Sequence, residues 1–460
     1  MRRCAVQIAV FVLCGSAQHA REFAYIYIAA CCLRRAPISE LSAEILLQIF
    51  RTTLQGPFPP DLSQILNLFG VCSTWREILR GESRLWTNVA IRRRQSEGDT
   101  YKGVAFVKRW SKPHLLRLLL DCNTTMRLRD IIPVERLGSL TLHGVVPQQF
   151  FSIYDVRFPL LTRLCITMDD RDAWQVNAFR PEGVRAFPRP ITAFSNCPML
   201  VEVSIRGPIA GPGANEMFIL PWEQLTSVFI GYVYHTHLPL FTDVIAHLQQ
   251  AAVLAFHASF AHNTHGVIDP NGAVPLPNLT TLHLTSHGRF TALLRAASFP
   301  NLTTLYLVDD LSNIQLIERF ISPFLQALPN LRCLGIRCDP MIPAPAAVEL
   351  LRSASQITRL EVRSANSQVP LLQSLQQLAV LPDLRVLSVD SPAAETADLA
   401  ACIQARLGAG ALSLEVAWTP ERPLPQGLAQ IGQVMKIQPD RDDPDDHWIP
   451  RWMWCEGTVQ

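Results

Sequence analysis

Three histidines, His257, His262 and His265, come nearest to the spacing of a metal or proton-transfer site. Neutral imidazoles hold Zn²⁺ best when Cys, Asp or Glu completes the ligand set. No cysteine stands beside them, and they run from a predicted strand into a loop, so they read as solvated loop histidines. Cys333 and Cys338 are spaced like half of a zinc site, but Cys333 falls inside a predicted strand and no second pair follows. The chain has no glycine-rich phosphate loop and no Gly-x-Ser-x-Gly elbow. No carboxylate pair has surroundings that would tune an acid against a base. The chain is therefore expected to have no catalytic, metal or cofactor-binding residues of its own and to work by recognition.

Composition supports that direction. Of 460 residues, 48% are hydrophobic and 17% charged, and the formal net charge is +2. A large core is expected, with no electrostatic argument for nucleic acid or a membrane surface. The 34 Pro and 22 Gly are scattered, as many short connections require. Most of the 12 Cys sit in apolar runs, as Cys72, Cys122 and Cys165 do, and read as buried thiols. No short-loop disulfide framework is visible, which fits a reducing compartment, cytoplasmic or nuclear.

Residues 1–36 form an extension. Met1–Arg3 is basic, Ala5–Leu13 is apolar and Gly15–Ala17 is small, which is the outline of a secretory leader. The second apolar run, Phe23–Leu33, is too short to span a bilayer comfortably. Two readings stand: a poorly packed extension arising at the assigned start codon, which we adopt, or a leader for secretion or membrane delivery.

The stretch 37–90 is a candidate helical docking module. Ser42 is placed to cap a helix over Ala43–Phe50, with Leu41, Ile45, Leu46, Ile49 and Phe50 on one face. Gly and Pro in Gln55–Pro60 stop that helix. Asp61 or Ser63 can cap a second one, striped by Ile65, Leu68, Phe69, Cys72, Trp75 and Leu79. So short a segment cannot seal this many large apolar groups by itself, so part of the face is expected to dock on a partner.

From Leu115 onward one pattern recurs: apolar, two residues, apolar, one residue, apolar. It reads Leu115–Leu118–Leu120, Leu137–Leu140–Leu142, Leu161–Leu164–Ile166, Leu200–Val203–Ile205, Leu225–Val228–Ile230 and Ala251–Leu254–Phe256. It continues through Leu279–Leu282–Leu284, Leu302–Leu305–Leu307, Leu331–Leu334–Ile336, Ile357–Leu360–Val362 and Leu384–Leu387–Val389 to a weak Ala411–Leu414–Val416. The starts are 22 to 29 residues apart except for one interval of 39. Each i, i+2 pair is the inward side of a short strand. Pro-Asn-Leu or Pro-Asp-Leu ahead of several strands ends the preceding helix and turns the chain. Ile317, Phe320, Ile321, Phe324 and Leu328 stripe one intervening helix, and Leu371, Leu372, Leu375 and Leu378 another. Such units bury their faces only by stacking, so residues 111–418 are expected to form a solenoid of about 11–12 strand–helix units.

Residues 91–110, with three consecutive Arg after Ile91, are expected to be a linker. The long interval holds an insertion, Asp169–Ile191, expected to protrude. Beyond Thr419 the repeat is lost. Pro439–His447 is acidic and expected to be disordered, and Trp448, Trp452 and Trp454 are placed to cap the last unit.

Two resemblances follow from these residues. Pro37, Ile38, Leu41, Glu44, Ile45, Leu46, Ile49 and Phe50, then Val71-Cys72 with Trp75-Arg76, then Leu85-Trp86, resemble the F-box. The usual Leu-Pro pair is Leu41-Ser42 here, which weakens one anchor but keeps the cap. The spacing after it resembles leucine-rich repeats. Their usual Asn after the strand is replaced by residues such as Val145, Asp169, Pro208, Val233, Asp310 and Asp339, so that ladder is expected to be absent and the horseshoe irregular. The combination is similar to the large F-box families of mushroom-forming fungi.

The resemblance implies an α/β chain whose small helical F-box binds a Skp-type adaptor and, through it, the cullin and RING subunits of an SCF-type ubiquitin ligase. The residues implied in that contact are Pro37, Ile38, Leu41, Ile45, Leu46, Ile49, Phe50, Val71, Cys72, Trp75, Leu85 and Trp86. The repeats would hold a protein substrate. Outward strand positions give Thr141, Cys165, Ser204, Phe229, Ala255, His283, Tyr306, Gly335, Glu361 and Ser388. Phe229, His283 and Tyr306 are expected to be exposed anchors, and Arg337, Arg359 and Arg363 to favour an acidic or phosphorylated segment. A repeat scaffold without a ubiquitin role is the alternative. No nucleic acid and no small-molecule cofactor is expected.

Overall fold

A computed structural model of the chain describes residues 41–54, 59–92, 97–122, 127–168, 191–206, 218–234, 244–259, 274–286, 297–308, 314–337, 342–363, 369–377, 380–390, 396–408, 415–418 and 434–436. The extension 1–36, Pro37, Ile38, the insertion expected to protrude (up to residue 190), the acidic run and the three C-terminal Trp lie outside these residues. The chain is mixed α/β, and its strands pair in parallel. It divides into two compact units.

The first unit holds described residues 41–168 and 196–199. Helix α1 (Ala43–Leu54) starts where Ser42 caps it: Leu46 N–H donates to Ser42 O at 3.1 Å and Ile45 N–H to Ser42 Oγ at 3.4 Å. It buries Leu46, Phe50 and Leu54, spaced four apart on one face. Helix α2 (Leu62–Val71) opens with a capping box. Ser63 N–H donates to Asp61 Oδ1 at 2.8 Å, and Asp61 N–H to Gln64 Oε1 at 3.0 Å.

The single second helix expected from the apolar stripe is in fact two. Cys72 is extended (φ −157°, ψ 174°) and starts helix α3 (Ser73–Gly81), with its Sγ accepting from Trp75 N–H at 3.5 Å. The run Gly70-Val71-Cys72-Ser73-Thr74 explains the break. Glycine, a β-branched residue and short polar side chains favour caps over helix interiors.

A 3₁₀ turn, Ser83–Trp86, leads into strand β1 (Asn88–Ile91), and helix α4 (Glu97–Trp110) follows. The expected linker at 91–110 is therefore a strand end and a helix. Val104 and Val107 of α4 are buried, and Phe106 lies 5.9 Å from the ring of Phe69 and 6.5 Å from Trp86. Strands β2 (Leu116–Asp121), β3 (Leu137–Val145) and β4 (Arg163–Met168) continue the sheet, with Val89, Leu118, Leu140 and Leu164 in register. In the first predicted unit Leu115 is 52% exposed and Leu116 is buried instead, beside a register shift at Leu116/Arg117.

The second unit carries β5 (Glu202–Arg206), β6 (Ser227–Tyr234), β7 (Val253–Ser259), β8 (Val274–Pro275), β9 (Thr281–Ser286), β10 (Ala297–Ser298), β11 (Thr304–Val308), β12 (Cys333–Arg337), β13 (Arg359–Arg363), β14 (Val386–Asp390), β15 (Glu415–Trp418) and β16 (Val434–Lys436). β8 pairs only with β10, and the others follow one another in a parallel sheet. Val203, Val228, Leu254, Leu282, Leu305, Leu334, Leu360 and Leu387 form one row, each 1% exposed or less. Strand β16, paired with β15, lies in the tail where no further strand was expected.

Between the strands, helical residues 314–326 contain a π turn at Ile317–Ile321, and Leu325 rather than Phe324 is fully buried. Helices α5 (Ala344–Ser353), α6 (Val369–Gln376) and α7 (Thr396–Gly408) follow. Leu371, Leu372 and Leu375 are buried as the stripe requires. Arg406 of α7 is only 3% exposed and donates to Leu375 O, Leu381 O and Val380 O, main-chain acceptors at and just beyond the end of α6.

Among the described residues a side-chain ladder runs ahead of the strands. The amides of Asn278, Asn301 and Asn330 each donate at 2.8 Å to a carbonyl of the preceding unit, on Gln249, Pro277 and Pro300. The hydroxyls of Thr226, Thr280, Thr303 and Thr358 reach back in the same way to Val201, Ala252, Thr280 and Arg332. The Asn of the Pro-Asn-Leu turn thus bonds unit to unit, besides turning the chain.

Candidate functional site

Residues 41–86 sort the expected adaptor contacts into two groups. Leu46, Phe50, Trp75, Leu85 and Trp86 are buried within the unit, at 8% exposure or less. Phe50 meets Trp75 edge to face at 4.8 Å, and Trp86 Nε1–H donates to Leu79 O at 2.8 Å. These five are core residues and are not available to dock, which corrects the expectation. The reason is that β1 and α4 complete the enclosure that the helical segment lacks alone. Ile45 is 51% exposed and Val71 48%, Cys72 is exposed, and Leu41 and Ile49 are half-buried. What remains outside is aliphatic, and Ile45 and Ile49 share a face of α1.

On the sheet of the second unit, pairing places Ser204, Phe229, Ala255, His283, Tyr306, Gly335, Glu361 and Ser388 side by side on the outward face. The row is as expected, but its exposure is not. Phe229 is 1% exposed and His283 3%. Strands about 4.8 Å apart in exact register let neighbouring side chains cover one another. The Phe229 ring lies over Gly231, where an added Cβ would meet it at 3.0 Å. The ring of His283 stacks on Tyr306 at 4.4 Å and 21°. Tyr306 in turn lies across Gly335, where a Cβ would come within 2.1 Å of Cδ1. Tyr306 is thus the half-exposed member of the row's aromatic group.

Beyond Gly335, Tyr306 approaches Cys333, Glu361 and Arg359. Arg359 Nε and Nη2 both donate to Glu361 Oε1 at 2.7 Å, and the carboxylate side chain is 9% exposed. Burial lowers the Arg359 pKa, but Glu361 and its neighbours outweigh it, so the guanidinium pKa is raised. Burial, then Glu361, pushes the Cys333 thiol up to about 11 and the Tyr306 phenol higher than its ordinary value. Burial pulls His283 down to about 3. At neutral pH the cluster holds a covered neutral imidazole and thiol, a half-exposed phenol and an internally paired Arg–Glu. That is equipment for shape and hydrogen-bond recognition.

The expected basic surface is weaker than anticipated, because Glu361 neutralises Arg359. Arg337 is half-buried at the end of β12, opposite Arg363 in the register, and the Arg363 side chain lies outside the described residues. His262, His265, Cys338 and the side chain of His257 lie outside them too. No metal-binding group of His, Cys, Asp or Glu occurs among the described residues. Cys122, Cys197, Cys333 and Cys402 are buried thiols, and Cys165 is buried as well. Among the described residues no helix is long and apolar enough to cross a membrane.

Neither the protein-family models nor the curated proteins contain a match to this chain.

Proposed function

We propose that this chain is a substrate-recognition subunit of an SCF-type cullin-RING ubiquitin ligase. The observation that carries the reading is in residues 41–86. The aromatic core of the segment with the F-box-like signatures is closed with the help of β1 and α4, yet Ile45 and Val71 stay about half exposed. Aliphatic side chains left open on a segment with these signatures support a docking role. In this reading a Skp-type adaptor covers Leu41, Ile45, Ile49, Val71 and Cys72, with Pro37 and Ile38 beside them. The cullin and RING subunits join through that adaptor.

The parallel units act as an irregular leucine-rich-repeat horseshoe and hold a protein substrate on the outward strand face. The anchors are Tyr306, Arg337 and Arg359. Glu361 beside Arg359 favours a segment with mixed polar groups over a strongly acidic one. The chain contributes proximity, by holding the substrate near a ubiquitin-charged enzyme, and the chemistry occurs elsewhere. This places the complex in the cytoplasm or nucleus.

The test is co-expression of the full chain with a Skp-type adaptor, followed by size-exclusion chromatography. A stoichiometric complex is expected. A folded chain that elutes without the adaptor would leave the repeat scaffold with no ubiquitin role as the better reading.

A further inference from the structure

The ends of α3 and α4 carry a strip of cations and rings that the adaptor reading does not use. Phe69 of α2 and Trp110 of α4 alternate with guanidinium groups. Arg76 Cζ lies 5.5 Å from the Phe69 ring centre, and Arg80 Cζ 5.2 Å. Arg80 Cζ is also 5.4 Å from the Trp110 ring centre, and Arg109 Cζ 4.9 Å. Arg80 therefore links the two rings, and the strip is continuous across the three helices. A guanidinium held over a ring keeps its in-plane N–H groups free to bond.

Those groups have no acid to bond within the chain. Arg76 Nε–H donates to Phe69 O at 3.3 Å. Arg80 and Arg109 are exposed and make no hydrogen bond or ion pair among the described residues. Glu77, beside Arg76 on α3, pairs with none of them, and Glu82 is taken by Arg51. The Trp110 Nε1–H is shielded from solvent and has no acceptor. A helix C-terminus favours a cation, which accounts for the charge of Arg80 and Arg109. It does not account for so many donors without acceptors in one strip.

The rings decide between the anions that could answer them. Phe69 and Trp110 are each flanked by two guanidinium groups, so neither is open for the base stacking that single-stranded nucleic acid relies on. Phe106, 5.9 Å from Phe69, is 36% exposed and adds an apolar contact at the edge of the strip. One partly open ring is too little to anchor the strip on a lipid surface. Carboxylates match the guanidinium fork, and a bulky side chain between them uses the ring. We propose that this strip docks an acidic peptide segment of a protein partner. Its carboxylates bond Arg76, Arg80 and Arg109, and an apolar side chain lies on Phe106.

The test uses the full chain without adaptor and a fluorescein-labelled peptide of glutamates with one central leucine, read by fluorescence anisotropy. The comparisons are the same peptide with glutamine for glutamate, an oligothymidine, and vesicles of phosphatidylserine with phosphatidylcholine. The acidic peptide is expected to bind saturably, more tightly than any comparison, and more weakly as salt rises. The double variant Arg80→Gln, Arg109→Gln changes exposed side chains and is expected to keep the circular dichroism of the wild type. It should weaken the peptide at least about tenfold, the loss of two charge-assisted contacts. Arg117→Gln with Arg385→Gln removes the same charge from exposed positions elsewhere and should bind as the wild type does. Absence of saturable peptide binding overturns the proposal. So does binding of the oligonucleotide or the vesicles as tight as that of the peptide. An Arg80, Arg109 variant that binds unchanged, or a control variant weakened as much, overturns it too. None of these results depends on the adaptor reading, which is tested with the adaptor itself.

Discussion

In the helical segment 41–86 Phe50, Trp75 and Trp86 go inward together with many of the aliphatic side chains, and Ile45 and Val71 stay about half exposed. On the face of β9 to β13 the aromatic side chains lie on the outward side and are largely covered all the same. The two regions reach burial by different routes. Helices α1 to α3 bury Phe50, Trp75 and Trp86 by packing against one another and beneath β1 and α4. The sheet buries His283 and shields Tyr306 by lateral stacking along the strand register, helped by a glycine at 335 that leaves room for a ring. Helical periodicity therefore overstates a docking face by counting core residues as surface. Strand alternation overstates it by treating every outward position as open.

The largest effect that would break this comparison is in the helical core. Trp86→Ala removes a fully buried indole and leaves Leu79 O without its donor. It is expected to cost about 3–5 kcal/mol in urea unfolding of the first unit. A cost below about 1 kcal/mol, the level of an ordinary surface change, would show that Trp86 is a surface anchor after all.

The stacked row responds to pH. His283 has a folded pKa of about 3 against an ordinary value of 6.5. The unfolded chain thus binds the proton first as pH falls through 6.5. Stability contributed by the neutral imidazole is complete above that value and declines below it, by up to about 1.4 kcal/mol per pH unit until the folded pKa is reached. His283→Phe keeps a ring against Tyr306 and lacks the proton. Urea midpoints at neutral pH and near pH 5 should fall less for the variant than for the wild type.

Gly335→Ala tests the covering of that row from the other side. The new Cβ collides with Tyr306, so the ring must move, at an expected cost of about 1–3 kcal/mol. Tyr306→Ala combined with Gly335→Ala should cost less than the sum of the single changes, because the two sites share the contact. A smaller effect, about 1 kcal/mol, is expected for Asn301→Ala, which deletes one rung of the ladder to Pro277 O.

Much of the parallel architecture could be read from residue spacing. The row from Val203 to Leu387 was legible because each position must be apolar to be buried, and burial repeats with the unit. Strand β1 was not, since Asn88–Ile91 is four residues long and has no turn signal separating it from Trp86. Helix α4 was hidden by the polar run that precedes it. The Asn ladder was visible as letters, but its partners lie in the preceding unit, and sequence separation conceals that contact. The candidate sites were legible as faces only. Which side chains stay open on a face depends on ring orientations, such as Tyr306 across Gly335, and on pairings such as Arg359 with Glu361.

The smallest effect on folding carries the most weight for function. Ile45→Asp and Val71→Asp change exposed residues, and each should alter stability by less than about 0.5 kcal/mol. The decisive measurement is the affinity of a purified Skp-type adaptor for the full chain and for the double variant Ile45→Asp, Val71→Asp, by isothermal titration. The account requires tight binding by the wild type and at least about a hundredfold loss in the double variant, as for removal of central apolar contacts. Unchanged affinity in a folded double variant, or no binding by the folded wild type, would contradict it.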